Sequence, residues 1–333
     1  MWIRSMAQLS LSAVPLLALQ ERPPLPSDSL PVEMPASLPH GLDGLIPQAT
    51  DAEVALGRKL FFDPLLSLDR SVACASCHEP EHGFAGTQPF SMGVGGQHTL
   101  RNSPTLLNRG LGTRFMWDGR VASLDEQALI PIADAREMGL GVEAAVQRLN
   151  ASSDYKLRFE QVYGGAPDAP RLGHSIAAFV GRLYLGDSPV DHFRIDNDFA
   201  ALTTQERSGL WFFESRGQCW RCHSGPNFSD EQFHNSGIGA REGVPEDGRM
   251  AITHELSDRG RFKTPTLRGL ALTAPYMHDG SLASLEEVVK FYRGGALKNS
   301  DLAAELAPLE MSDEDAHNLV EFLRALSRQA LPR

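Results

Sequence analysis

The sequence predicts a mainly α-helical protein of two similar domains related by internal duplication. Three observations predict it. The motif Cys-x-x-Cys-His occurs twice, as Cys74-Ala75-Ser76-Cys77-His78 and Cys219-Trp220-Arg221-Cys222-His223, and the two copies use all four cysteines. Each copy follows a segment with a helix-start signature and apolar residues at helical spacing. A longer pattern then recurs in register downstream of each copy.

In chain order, the first twenty residues carry Arg4 and then an apolar run from Leu9 to Leu19. That pattern reads as a secretory signal, because Pro15 interrupts a run too short to span a bilayer. Residues 21–47 hold seven prolines, from Pro23 to Pro47, and read as an extended arm. Thr50 and Glu53 have the spacing of a capping box, and Val54, Leu56, Leu60 and Phe61 then share a face, predicting a helix over 52–62. The same arrangement returns at Thr203 and Glu206, with Leu210, Trp211 and Phe213 ahead of Cys219. Closing helices are expected at 175–185 (Ile176, Phe179, Val180, Leu183) and 312–326 (Leu319, Phe322, Leu323, Leu326). The expected domains are 48–195 and 196–333.

The recurring pattern is specific. Ser103-Pro104-Thr105-Leu106 is followed fourteen residues after its proline by Asp118-Gly119, and then by Ala122-Ser123-Leu124-Asp125-Glu126. Thr264-Pro265-Thr266-Leu267 is followed at the same spacing by Asp279-Gly280, and then by Ala283-Ser284-Leu285-Glu286-Glu287. Chance produces one such match easily and all of them poorly.

The cysteine motif has a definite chemistry. Two thiols three apart, followed at once by an imidazole, form the attachment site of a c-type haem: the thiols add to the vinyl groups and the histidine reaches the iron. Two disulfides, or one four-cysteine zinc site, are the alternatives, and neither explains a histidine after each second cysteine. Each unit therefore reads as a cytochrome c-like haem domain with a covalent haem, held by Cys74, Cys77 and His78 or by Cys219, Cys222 and His223. Covalent haem attachment normally takes place outside the cytoplasm and agrees with the signal, so the expected location is the periplasm, with no membrane span in the mature chain. A formal net charge of −11 argues against nucleic acid or an anionic membrane as partner. With 42% hydrophobic and 22% charged residues, the composition is that of a soluble globular chain.

The repeat compares the two irons. Thirteen residues after Asp279 stands Tyr292, and thirteen after Asp118 stands Pro131, which has no side-chain donor. A distal Tyr292 would give the second iron a sixth ligand and leave the first open to a small oxidant; a packed aromatic on an amphipathic helix is the plain alternative. Between Trp117 and Gly139 the chain offers Trp117, Gln127 and Glu137 in a segment that Pro131 is expected to interrupt. A carboxylate over a haem can move the proton of hydrogen peroxide, an amide can hold the peroxide, and an indole can lie between redox centres. Each also has an ordinary reading as core or solvent-facing residue.

These residues resemble the bacterial dihaem cytochrome c peroxidases and their relative MauG. The resemblance rests on Leu56-Gly57-Arg58-Lys59-Leu60-Phe61-Phe62-Asp63, Arg101-Asn102-Ser103-Pro104-Thr105, Trp117-Asp118-Gly119-Arg120, Glu126-Gln127 and Glu137-Met138-Gly139. It continues through Pro265-Thr266-Leu267-Arg268 and the stretch from Leu272 to Gly280, and so covers nearly all of the mature chain. It implies that the N-terminal haem is peroxidatic, with Glu137 as acid–base group, Gln127 as amide and Trp117 between the haems. It implies that the C-terminal haem transfers electrons, and that Asn102, Thr273 and Pro275 bind calcium through one side-chain oxygen and two carbonyls.

Two departures stand out. The histidine that caps the resting peroxidatic iron in many of these peroxidases corresponds to Val94, with His98 close but out of register. The other iron carries methionine in the peroxidases and tyrosine in MauG, and here the residue is Tyr292, with Met277 and His278 as substitutes. Gly217 stands where MauG has a surface tryptophan. The implied function is reduction of hydrogen peroxide to water with electrons from a small cytochrome c or cupredoxin. The alternative is a MauG-like enzyme that uses high-valent haems to oxidise tryptophan or tyrosine of a partner protein; a plain electron carrier would have no use for Glu137 and Gln127. A second copy of the chain, as a homodimer, is a further expected partner.

Overall fold

The computed structural model describes residues 49–299, 301–304 and 306–328. The expected signal and the whole proline-rich arm lie outside the described residues. Asp51–Phe62 form α1. The Thr50 hydroxyl accepts from Glu53 N at 3.2 Å and the Glu53 carboxylate accepts from Thr50 N at 2.7 Å, satisfying two amides that a helix start leaves unpaired. After the first cysteine motif come α2 (Leu124–Ala133), α3 (Val142–Ala151), α4 (Ser153–Tyr163) and α5 (Ala169–Val180). The second stretch carries α6 (Pro189–Ile195), α7 (Thr204–Glu214), the short α8 (Met250–Thr253), α9 (Leu285–Arg293) and α10 (Asp313–Ala325). Strands β1 (Phe233–His234) and β2 (Phe262–Lys263) pair antiparallel, Phe233 opposite Lys263. The described chain is mainly helical, and no described helix is long and apolar enough to cross a membrane.

Two expectations change. The closing helix of the first half runs Ala169–Val180 rather than 175–185. Asp168 caps it by accepting from Arg171 N at 2.8 Å, and Pro170 suits the first turn, where an N–H would have no partner. Helix α2 also continues through Pro131 and ends only at Ala133, so the proline does not interrupt the segment where it stands.

The two halves repeat one packing arrangement. Helix α1 crosses α5 at Gly57, where a Cβ would lie 1.8 Å from Ser175 O; α7 crosses α10 at Gly209, where a Cβ would lie 1.9 Å from Asn318 O. Only glycine permits so close an approach. Phe61, Phe84 and Phe179 form a triangle in the first core, with centroid separations of 5.1 to 6.3 Å. Phe213, Phe228 and Phe322 repeat it at 5.1 to 6.4 Å. Each ring is worth about 1.5–3 kcal/mol in apolar burial and about 0.5–1.5 kcal/mol more per aromatic pair, enough to anchor the two helices.

The first hydrophobic cluster runs from Leu56 to Leu185 and the second from Val190 to Leu326. Helix α6 lies before residue 196, yet it buries Val190 in the second cluster and pairs Asp191 with Arg268 at 2.8 and 2.7 Å. Backbone and charged contacts close the seam between the clusters. Lys263 N donates to Trp117 O at 2.8 Å, Asn102 N donates to His278 O at 2.9 Å, and Arg109 pairs with Glu231 at 2.9 Å.

Candidate functional site

The first cysteine motif folds as a tight helical turn, Cys74–Ser76, with Ala75 buried. His78 Nδ1 lies 3.1 Å from both Phe84 O and Pro104 O. Both partners are acceptors, so Nδ1 carries the proton and the Nε2 lone pair is left for a metal, the arrangement that orients a ligating imidazole. The second motif repeats it, with His223 Nδ1 donating to Phe228 O at 3.0 Å. None of the four cysteines forms a disulfide, and no cluster among the described residues joins the two pairs around one ion. The donor sets fit two covalent haems.

On the first side, Gln127 is half-buried on α2 and Glu137 is half-buried in the turn after it, where Glu137 N donates to Asp134 O at 3.0 Å. Burial and then the neighbouring Asp134 push the Glu137 carboxyl above the usual glutamate range, against the pull of Arg120 and Arg136. Val94 is buried in the core, and His98 is exposed with Nδ1 3.4 Å from Phe90 O.

On the second side a cavity of about 250 Å³ is lined by Cys219, Cys222, His223, Met277 and Tyr292. It extends to the seam, where Asn102, Trp117, Thr273 and Pro275 also line it, so the expected calcium residues and the inter-haem tryptophan meet in one place. Trp117 Nε1 donates to Asn102 O at 2.8 Å. Burial, then the thiols of Cys222 and Cys219, push the Tyr292 phenol well above its usual range. No hydrogen bond to its hydroxyl is formed among the described residues. His278 is a poor substitute ligand: its Nε2 lies 2.5 Å from Glu246 Oε1, and its ring stacks on Phe262 at 3.7 Å. Gly217 is buried, and a Cβ there would meet the Phe212 ring at 2.7 Å.

The comparisons with known proteins fit this geometry. Residues 51–198 match the family model for di-haem cytochrome c peroxidases. The chain is 37% identical over 300 residues to the methylamine utilization protein MauG of Methylorubrum extorquens, covering 89% of this chain and 83% of that one. The chain belongs to the di-haem cytochrome c peroxidase and MauG family. It is also 34% identical over 280 residues to the cytochrome c551 peroxidase of Pseudomonas aeruginosa, covering 82% of this chain and 78% of that one. A crystal structure of a MauG-like protein associated with microbial copper homeostasis superposes with a TM-score of 0.77 at 28% identity, covering 95% of this chain and 96% of that one. The family's members are di-haem enzymes with peroxidase or related oxidoreductase activity, and this chain is accordingly an enzyme of that kind.

Sequence reasoning missed the polar groups that hold the seam. Glu231 accepts from Arg109 and Lys263, and Glu246 ties His278 to Arg101, which lies 2.9 Å away. Sequence separations of 32 to 145 residues carry no local signal for these pairings. The repeat register offered one clue: Lys263 precedes Thr264-Pro265 where Asn102 precedes Ser103-Pro104.

Proposed function

We propose that the chain is a periplasmic peroxidase that reduces hydrogen peroxide to water at the Cys74, Cys77 and His78 site. Electrons reach that site through the Cys219, Cys222 and His223 site from a small cytochrome c or cupredoxin. The observation that carries this reading is Glu137, a half-buried carboxyl with a raised pKa, on a side where Val94 replaces the capping histidine. When bound, the haems supply the iron centres that deliver two electrons to the O–O bond. Glu137 takes a proton from one peroxide oxygen and returns it to the departing one, which leaves as the first water, and two further protons from solvent, with the two electrons, complete the second. Gln127 holds the peroxide by its amide without changing charge. His78 keeps its Nδ1 proton on two carbonyls, so its ring stays fixed through the cycle. Trp117, anchored at both its indole nitrogen and its backbone oxygen, lies in the path between the sites.

Tyr292 supports a second reading, in which the same pair of sites oxidises tryptophan or tyrosine of a partner protein in the manner of MauG. A phenolate is the ligand that stabilises oxidised iron, whereas a thioether favours reduction. Buried Gly217 weighs against it, because no surface tryptophan can stand at that position. Asn102, Thr273 and Pro275 form a neutral oxygen set suited to calcium completed by water. The matched glycine crossings and phenylalanine triangles support an origin by internal duplication. Steady-state peroxide consumption with a reduced small cytochrome c tests the peroxidase reading. Turnover supports it; absence of turnover with both haems in place, together with oxidation of a tryptophan-bearing partner protein, replaces it by the second.

A further inference from the structure

The seam holds a buried charge that the reading above leaves unused. Lys263, on β2, is 8% exposed and, among the described residues, is the one lysine or arginine lining the cavity of Cys219, Cys222 and His223. Its Nζ donates to Thr264 O at 3.0 Å and, over a longer 3.3 Å, to Glu231 Oε1. Glu231 is already engaged: Arg109 Nη1 and Nη2 reach its two oxygens at 2.9 and 3.4 Å, and Thr113 N reaches it at 3.3 Å. The next carboxylate, Asp230, is taken by His234 at 2.8 Å. Two cations therefore share one carboxylate where water is largely excluded. An uncompensated buried ammonium is costly unless an anion completes its surroundings.

The rest of the cavity wall is mainly apolar, and an ammonium has three donors, of which two are used. A haem carries two propionate carboxylates that an apolar cavity cannot leave unpaired. The charge is also particular to this half, since the repeat places uncharged Asn102 at the equivalent position.

We propose that Lys263 is the ionic partner of a propionate of the haem attached to Cys219 and Cys222. The inference rests on the reading that this cavity receives that haem. Burial and then Arg109 push the Lys263 amine down to about 8 against the pull of Glu231, the direction expected of a buried ammonium that shares its carboxylate with a guanidinium. Its main-chain bond to Trp117 O places the same residue against the path between the two sites. A fixed positive charge at a propionate favours the electron-rich state of that haem and so assists its reduction.

The test uses the full haem-loaded chain, wild type, Lys263→Met and Lys263→Arg, with haem content measured first. Two haems per chain in the wild type secure the underlying reading, and a missing C-terminal haem overturns that reading rather than this one. Spectroelectrochemical titration should then give a lower midpoint potential for the C-terminal haem in Lys263→Met, with the N-terminal haem unmoved. It should also give a potential that varies with pH near neutrality, as the unpaired propionate titrates, while Lys263→Arg stays close to wild type. An unchanged potential in Lys263→Met, or equal shifts at both haems, overturns the proposal. Should Lys263→Met fail to fold, a crystal structure of the wild-type holoprotein decides: a propionate oxygen within about 3 Å of Nζ supports the pairing, and its absence overturns it.

Discussion

The backbone amide of Val94 donates to the backbone oxygen of Glu137 at 2.8 Å. The loop in which many of the peroxidases carry a capping histidine is thereby tied to the segment that bears the proposed acid–base group. Gly93 packs onto the same turn, where a Cβ would lie 2.0 Å from Arg136 O. The loop is seated with an apolar residue at the capping position and His98 in solvent.

The protein as isolated, fully ferric, should therefore contain one high-spin haem and react with peroxide without prior reduction. Electron paramagnetic resonance checks it, and His98→Ala should leave the spectrum unchanged. Two low-spin ferric signals with no high-spin signal would contradict the open site.

Tyr292 should determine the spectrum of the other haem. Among the described residues, replacing it by Phe removes the one phenol lining the cavity besides Tyr276, whose hydroxyl is engaged with Leu270 O at 3.0 Å. The low-spin ferric signal should change in Tyr292→Phe at unchanged haem content, and Tyr292→Met should raise that haem's potential. An unaltered signal in both variants would make Tyr292 a packed aromatic and Met277 the ligand to test.

The glycine crossings make a prediction whose sign is informative. In an exposed helix, Gly→Ala stabilises by about 1 kcal/mol. At Gly57 or Gly209 the added Cβ meets a backbone carbonyl, and overpacking should destabilise by about 1–3 kcal/mol. Chemical denaturation of the haem-loaded variants measures it, and a stabilised Gly57→Ala would show that α1 and α5 are not packed as described.

A further stability test concerns Asp191 and Arg268, both buried. Burial alone would raise the Asp191 carboxyl, but the two hydrogen bonds and charge of Arg268 hold it below the usual carboxylate range. A depressed folded pKa contributes stability that is complete above the unfolded value and is lost as pH falls through the folded one. Arg268→Met should therefore cost about 3–5 kcal/mol near neutrality. The gap from wild type should narrow in acid, and a gap independent of pH would mean that the ion pair is not its cause.

What was legible in the sequence is local. Both haem motifs, the helix starts at Thr50 and Thr203 and the last helix could be read because caps and apolar period act over a few residues. The start of α5 was misjudged because its cap, Asp168, precedes Arg171 and His174, while the apolar run begins only at Leu172 and Ile176. Leu183 and Leu185 extended the apparent period although Gly181 had already ended the helix; they are buried in an irregular segment. Pro131 removes a backbone donor without breaking the last turn of α2. The charged seam was not legible, since Arg109, Glu231 and Lys263 meet only after the two halves have packed.

The reaction of the ferric protein with hydrogen peroxide, followed by rapid mixing in wild type and Glu137→Gln, tests the central claim most directly. A base must be ionised to accept a proton, and burial raises the Glu137 carboxyl. The wild-type rate should therefore rise with pH through an apparent pKa above the usual glutamate range. Glu137→Gln, with haem content intact, should be slower by about a hundredfold or more and lose that dependence. A near-normal rate with an unchanged pH profile in Glu137→Gln would remove Glu137 from the chemistry and contradict the account.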